Sequence, residues 1–205
     1  EVSGVAFFIG SDYAPNVEAA NIVIQLIAPA CPRVQFVIAG GVCARVDAAG
    51  VSNVNLVGFV DDFQRLLWLR AADFAINPMC SGSGTNIKMF DFMAAGLPVV
   101  STPVGARGIV DASTTGICLA ECEDMPAAIS ALLESPEALA LAGIENRRLV
   151  EKSFSWENIS PRLGKQLRSA WLRRKGRDSL DAGRGCTPRR IAHVTTLGTK
   201  CGIGE

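Results

Sequence analysis

Residues 77–91 read Asn-Pro-Met-Cys-Ser-Gly-Ser-Gly-Thr-Asn-Ile-Lys-Met-Phe-Asp. A short apolar run ends just before this stretch, a loop of glycine and serine follows, and a helical pattern begins at its far end. Gly82 and Gly84 let the backbone turn tightly and approach a ligand closely. The first N–H groups of a helix have no partners within it, and the helix dipole adds about half a positive charge there, so this arrangement suits a phosphate. It is not the P-loop, because no G-K-[ST] closes it. The plainer alternative is a capped helix start with Ser83 or Thr85 as the cap. Two further residues extend the chemistry. Steps of four and three place residues 84, 88 and 91 on one helical face, with Ile87, Phe90, Met93 and Ala94 predicted on the core side. Lys88 can neutralise phosphate oxygens as a point charge, and the Asp91 carboxylate can accept both hydroxyls of a ribose. The competing reading is an i,i+3 salt bridge between the two on a solvated face.

The surrounding elements must present that loop. Strands are predicted at 5–9, 34–39, 54–57, 74–76, 98–100 and 117–119. The first is closed by Gly10 and followed by the polar loop Ser11 to Asn16. Helices are predicted at 17–28 (with Ile22, Leu26 and Ile27 as its apolar side), 61–71, 86–95, 126–133, 136–152 and 156–175. Proline and glycine terminate several of them. Short continuous apolar strands alternating with helices indicate an α/β fold, a Rossmann-like doubly wound parallel sheet. In such sheets ligands bind beyond the carboxyl ends of the strands. That directs attention to Gly10–Asn16, Gly40–Val42, Gly58–Asp62, Asn77–Thr85 and Thr102–Gly108.

Residues 82–102, G-S-G-T-N-I-K-M-F-D-F-M-A-A-G-L-P-V-V-S-T, resemble the donor-binding helix of GT-B glycosyltransferases. They are most similar to the large retaining group with an E-x7-E motif. The segments 57–61, 72–78 and 154–156 fit the same domain, and the resemblance spans residues 4–172. It implies one half of a GT-B architecture, the C-terminal half, with an acceptor domain preceding Glu1. The implied reaction moves a hexose from a nucleotide-diphosphate sugar to a hydroxyl of a glycan or lipid-linked acceptor. Retention of configuration, no cofactor and no metal are implied as well. By position, Asp91 matches the ribose-binding second glutamate, and Ser83 stands where the family has its first, sugar-contacting glutamate. The Arg and Lys that relatives carry after the first strand are missing between Gly10 and Asn16. Phosphate neutralisation therefore falls to Lys88 first and Arg107 second, aided by the amides of Gly82, Ser83, Gly84 and Thr85. Gly58, Phe59 and Val60 are expected to meet the base, largely by backbone. Two alternatives are a non-catalytic nucleotide-binding scaffold and a GT-B sugar-nucleotide epimerase. The latter needs acid and base groups that this stretch does not offer.

Composition sets the outer limits. The chain has 205 residues, 49% hydrophobic and 20% charged, which excludes a disordered polymer. Its zero net charge hides a split, because residues 1–161 hold 9 basic and 17 acidic side chains, and residues 162–205 hold 11 and 3. The acidic body argues against nucleic acid as a partner. The basic tail is read as a solvated linker, with a membrane surface or a nucleic acid as the partner its charge would suit. Seven cysteines with one histidine follow no zinc pattern. Reduced thiols point to the cytoplasm, and the tail to the inner membrane face. The expected organisation is a donor-binding domain over 1–175 and a linker over 176–188. Residues 189–205 are read as the truncated first strand and glycine-rich turn of a following domain. His193 lies past the linker and is read as a strand residue rather than a base.

Overall fold

A computed structural model of the chain describes residues 3–109 and 116–181, with side chains up to residue 174. Six strands form one wholly parallel sheet: β1 (Gly4–Ile9), β2 (Val34–Ala39), β3 (Val54–Gly58), β4 (Phe74–Asn77), β5 (Val99–Ser101) and β6 (Ile117–Leu119). Their order is β3-β2-β1-β4-β5-β6. Val, Ile and Phe dominate because both faces are covered, and successive side chains point to opposite layers. Along β1, Ala6 and Phe8 enter one core layer with Phe36, Ile38, Phe74 and Ile76. Phe7 and Ile9 enter the other, where Phe7 meets Phe92 edge-on at 6.2 Å.

The helix after β1 differs from its expected form. α1 (Ala14–Ile22) starts at Pro15 in its first turn, passes into a π-helical segment, Val23–Ile27, and ends in the short turn α2, Ala28–Ala30. Proline suits a first turn because its missing N–H would have had no partner there. Asn16, predicted in a loop, is therefore helical and buried. Leu26, predicted on the apolar side, is exposed, and Ala19, Ala20, Val23 and Ile24 face the core instead.

α3 (Asp62–Ala71) opens with a capping box in which Asp61 and Gln64 satisfy each other's backbone N–H groups. α4 (Ile87–Ala94) follows β4, and α5 (Met125–Leu133) and α6 (Pro136–Ser153) follow β6. The described residues divide into two compact units at Glu151/Lys152. The second contains α7, Trp156–Asp181, which continues through Gly176, where the linker was expected to begin. One glycine costs a helix only about 1 kcal/mol. The expectations for 182–205, His193 included, lie outside the described residues. Among the described residues no single helix is long and apolar enough to cross a membrane.

Candidate functional site

The chain leaves β1 towards β2 on one side and β4 towards β5 on the other, so a crevice opens between the carboxyl ends of β1 and β4. Lys88, in the first turn of α4, reaches residues that form and follow β1. It is only 9% exposed, its Nζ donates to Asn16 Oδ1 at 2.7 Å, and the ammonium lies 4.4 Å from the centre of the Phe8 ring. The neighbours of Lys88 on the helix, Met89, Phe92 and Met93, belong to one core layer, and Phe8 belongs to the other. The side chain thus spans the crevice from one layer to the other. Burial pulls its pKa from an ordinary lysine's 10.5 down to about 7. Asn16 is itself held in place, its Nδ2 donating to the Ser11 carbonyl and Oγ, both at 3.2 Å. Gly10 makes room for it, since a Cβ there would come within 2.9 Å of Asn16 Cβ.

The helical phase differs from the predicted one. α4 begins at Ile87, within a residue of its expected start, and residues 82–85 form the loop ahead of it, so Gly84 does not share a helical face with residues 88 and 91. Met89, Phe92 and Met93 are buried with Lys88, and Ile87 is exposed. Asn86 occupies the N-cap position, which the plainer alternative gave to Ser83 or Thr85, and makes no side-chain cap. Its amide donates instead to the Gly105 carbonyl at 2.9 Å. The hydrogen bond of Lys88 Nζ goes to Asn16, on α1. Lys88 makes no pair with Asp91. The Asp91 carboxylate accepts from Arg65 Nη1 at 2.6 Å, and a second branch of Arg65 reaches Asp62 at 3.2 Å. Partial burial of Asp91 raises its pKa, which the Arg65 cation opposes.

The glycine loop is exposed along Gly82, Ser83, Gly84 and Thr85. Gly82 (φ +110°) and Gly84 (φ +74°) take backbone conformations that side-chain-bearing residues rarely adopt. Arg107 staples this loop from the β5 side. Its Nη2 donates to the Gly84 and Gly82 carbonyls at 2.8 and 3.1 Å, and its Nε to Gly84 at 3.2 Å. On the other flank Ser81 Oγ donates to Glu18 Oε2. The segments after β4 and β5 are further knitted together. Thr102 Oγ1 donates to the Met79 carbonyl and accepts from Gly105 N, and Asn77 Nδ2 donates to the Gly105 carbonyl at 3.1 Å. Beside β1, the Gly40 N–H donates to the Gly58 carbonyl at 2.7 Å, and the adjoining Phe59 stands 62% exposed. Val60 is half-buried.

Sequence reasoning missed Asn16 and Arg65. Asn16 lay in a flagged loop but carried no signal of a lysine partner 72 residues away. Arg65 lay in a helix with ordinary charge spacing, and only the packing of α3 brings it to Asp91. Among the described residues no three His, Cys, Asp or Glu side chains group as metal ligands.

A parallel sheet in this order, with glycine loops and a buried lysine at its carboxyl edge, defines a Rossmann-like domain of GT-B glycosyltransferase type. The chain belongs to the glycosyl transferases group 1 family, whose sequence profile matches residues 3–135. Its similarity to the phosphatidyl-myo-inositol mannosyltransferase of Propionibacterium freudenreichii subsp. shermanii is 25% identity over 150 residues. That match covers 71% of this chain and 38% of the relative, so the chain spans well under half of that enzyme's length. Among solved structures, Anabaena Alr3699/HepE in complex with UDP superposes with a TM-score of 0.66 at 17% identity, over 80% of this chain and 48% of that one. Sucrose-phosphate synthase from Thermosynechococcus elongatus gives 0.65 at 20% identity, over 82% and 46%. The C-terminal domain of LpcC, a group 1 family glycosyl transferase from Francisella tularensis, gives 0.54 at 17% identity, over 74% and 86%. These likenesses establish the fold.

Proposed function

We propose that this chain is the donor-binding, C-terminal half of a retaining GT-B glycosyltransferase that transfers a sugar from a nucleoside-diphosphate sugar to a hydroxyl acceptor. The observation that carries the reading is the buried ammonium of Lys88 at the β1/β4 crevice. A buried charge is costly unless paired. Among the described residues its partners are a neutral amide oxygen and a ring face, neither of which carries a compensating negative charge. An anion arriving at the crevice would supply that compensation. The relatives support a nucleotide sugar as the source of the anion, since Alr3699/HepE has been seen with UDP and with UDP-glucose.

In this reading Lys88 takes up the charge of the departing diphosphate, with no metal required. Its depressed pKa means that diphosphate binding draws a proton onto Nζ. Arg107 contributes second, as a positive charge behind the loop whose carbonyls it holds. Asp91, oriented by Arg65, receives the ribose hydroxyls, and Gly10, Gly58, Phe59 and Val60 line the side towards the base. Ser83 replaces a sugar-contacting carboxylate, which favours a second reading, a domain that binds the nucleotide without turning over the sugar. The acceptor is a glycan or lipid-linked hydroxyl contributed through another domain.

The test is calorimetric titration of the chain with UDP and UMP, for wild type and Lys88→Ala. A loss confined to, or clearly larger for, the diphosphate supports the assignment. Equal small losses for both ligands would remove Lys88 from the phosphate site and leave Arg107 as its cation. Donor hydrolysis by the full-length protein separates an enzyme from a binding domain.

A further inference from the structure

Two cysteines meet at the base of the glycine loop. Cys80 lies in the segment between β4 and α4, two residues before Gly82, and is exposed. Cys122 lies just past β6, where the chain turns into α5, and is buried. Their sulfurs are 3.2 Å apart, across 42 positions of sequence. Both thiols also face the Pro78 carbonyl, at 3.8 and 3.9 Å, which holds them side by side.

We propose that Cys80 and Cys122 are a reversible dithiol–disulfide site that ties the glycine loop to the β6–α5 turn when the protein meets a small-molecule disulfide. The geometry requires little change. A disulfide bond is about 2.0 Å long, so the sulfurs close by roughly an ångström. The cysteines also differ in a useful way, one open to reagent and the other sheltered behind it.

The chemistry is two successive exchanges. The Cys80 thiolate attacks one sulfur of glutathione disulfide, forming a mixed disulfide and releasing one glutathione thiolate. The Cys122 thiolate then attacks the Cys80 sulfur and expels the second glutathione. The two protein thiols lose two electrons and two protons, and the reagent becomes two thiols. Cys80 acts first because it is accessible. The Cys122 thiol is pushed up to about 12 by burial, by its hydrogen bond with Cys80 and by the nearby Glu121 and Glu123 carboxylates. Converting Cys80 to a mixed disulfide removes its share of that effect.

The site's existence does not depend on the proposed function; only its consequence for nucleotide binding does. The whole chain is incubated with glutathione disulfide, alkylated and digested without reduction. The expected product is a Cys80–Cys122 cross-linked peptide, two hydrogens lighter than its parts and reversed by dithiothreitol. Thermal melting should rise by about 5–10 °C on oxidation, because the bond closes a long loop. Cys80→Ser, a change at an exposed position, should abolish both the cross-link and the rise. A stable glutathione adduct on Cys80, a cross-link between other cysteines, or full retention of both thiols would each overturn the proposal. UDP titration of the oxidised protein reads the consequence separately. A changed affinity alongside the cross-link makes the site a control on the nucleotide pocket. A cross-link with unchanged UDP affinity leaves the dithiol site standing and removes only that control.

Discussion

Lys88 and Arg107 stand on the segments that follow β4 and β5, and the protein holds them in opposite ways. Lys88 is buried between two core layers and, among the described residues, meets an amide oxygen and a ring face. Arg107 is exposed, and its guanidinium is engaged by the carbonyls of Gly82 and Gly84. A charge shielded from water acts on an anion through a lower effective dielectric than an exposed one does. The difference teaches that two cations read from sequence as neighbours of one glycine loop can be held in quite different surroundings. Arg107 is nearer to the loop in its bonding, and its Nε and Nη2 donors are engaged there. The Lys88 charge pairs with no carboxylate among the described residues.

The largest expected effect comes from removing that charge. Lys88→Ala should weaken UDP binding by about 1.5–3 kcal/mol, the range for a hydrogen bond to a charged group, and UMP binding by less. The fold should survive, because the substitution also relieves a buried charge, and circular dichroism checks that. Asp91→Ala comes next, with a loss of about 1–3 kcal/mol that is equal for UDP and UMP, as a ribose contact requires. Unchanged affinity with an intact fold would reduce Asp91 to the partner of Arg65.

The third measurement sharpens the contrast by pH. The folded pKa of Lys88, about 7, lies below its ordinary 10.5, so between those values the unfolded chain binds more protons than the folded one. Stability of the free protein should therefore rise as pH climbs from about 7 towards 10.5, a contribution that Lys88→Ala removes from thermal melts. UDP binding should show the opposite trend. Affinity should fall above pH 7, by up to about tenfold per unit, with proton uptake visible as a buffer-dependent calorimetric enthalpy. A flat profile from pH 7 to 9 would mean that Lys88 keeps its charge unaided. The smallest effect is expected for Arg107→Ala, below about 1.5 kcal/mol and slightly larger for UDP than for UMP, since its exposed charge is screened by water and acts from behind the loop. A loss exceeding that of Lys88→Ala would reverse the comparison.

Much of this fold was legible in the sequence, and the reason is local. Each strand is a short apolar run closed by glycine, proline or a polar loop, so all six emerged within a residue or two, and their alternation with helices gave the parallel sheet. The glycine loop was legible too, and spacing nominated residues 88 and 91 beside it. What was not legible depends on distance. The Lys88–Asn16 bond spans 72 residues and the Arg65–Asp91 pair spans 26. The phase of α4 was also misjudged. The helix itself emerged within a residue, but a lysine that reads as solvent-facing by type shares the buried side with Met89, Phe92 and Met93.

The π-helical segment after α1 carries a consequence of its own. Buried residues along this stretch fall in pairs at 15–16, 19–20, 23–24 and 27–28, a repeat of four. An α-helix advances about 100° per residue, so a repeat of four drifts by about 40° at each step and by roughly 120° over the whole run. Left alone, the stripe would wind off the sheet before reaching Ile27. The widened turn, in which the Ala28 N–H bonds back to the Val23 carbonyl, takes in an extra residue and turns the stripe back. Removing one residue from 23–27 would shorten the turn to ordinary pitch and set the two halves against each other. Either Asn16 keeps its bearing under the lysine or Ile27 keeps its seat in the core. The irregularity is thus a phase corrector, letting a single helix answer to two separate alignments.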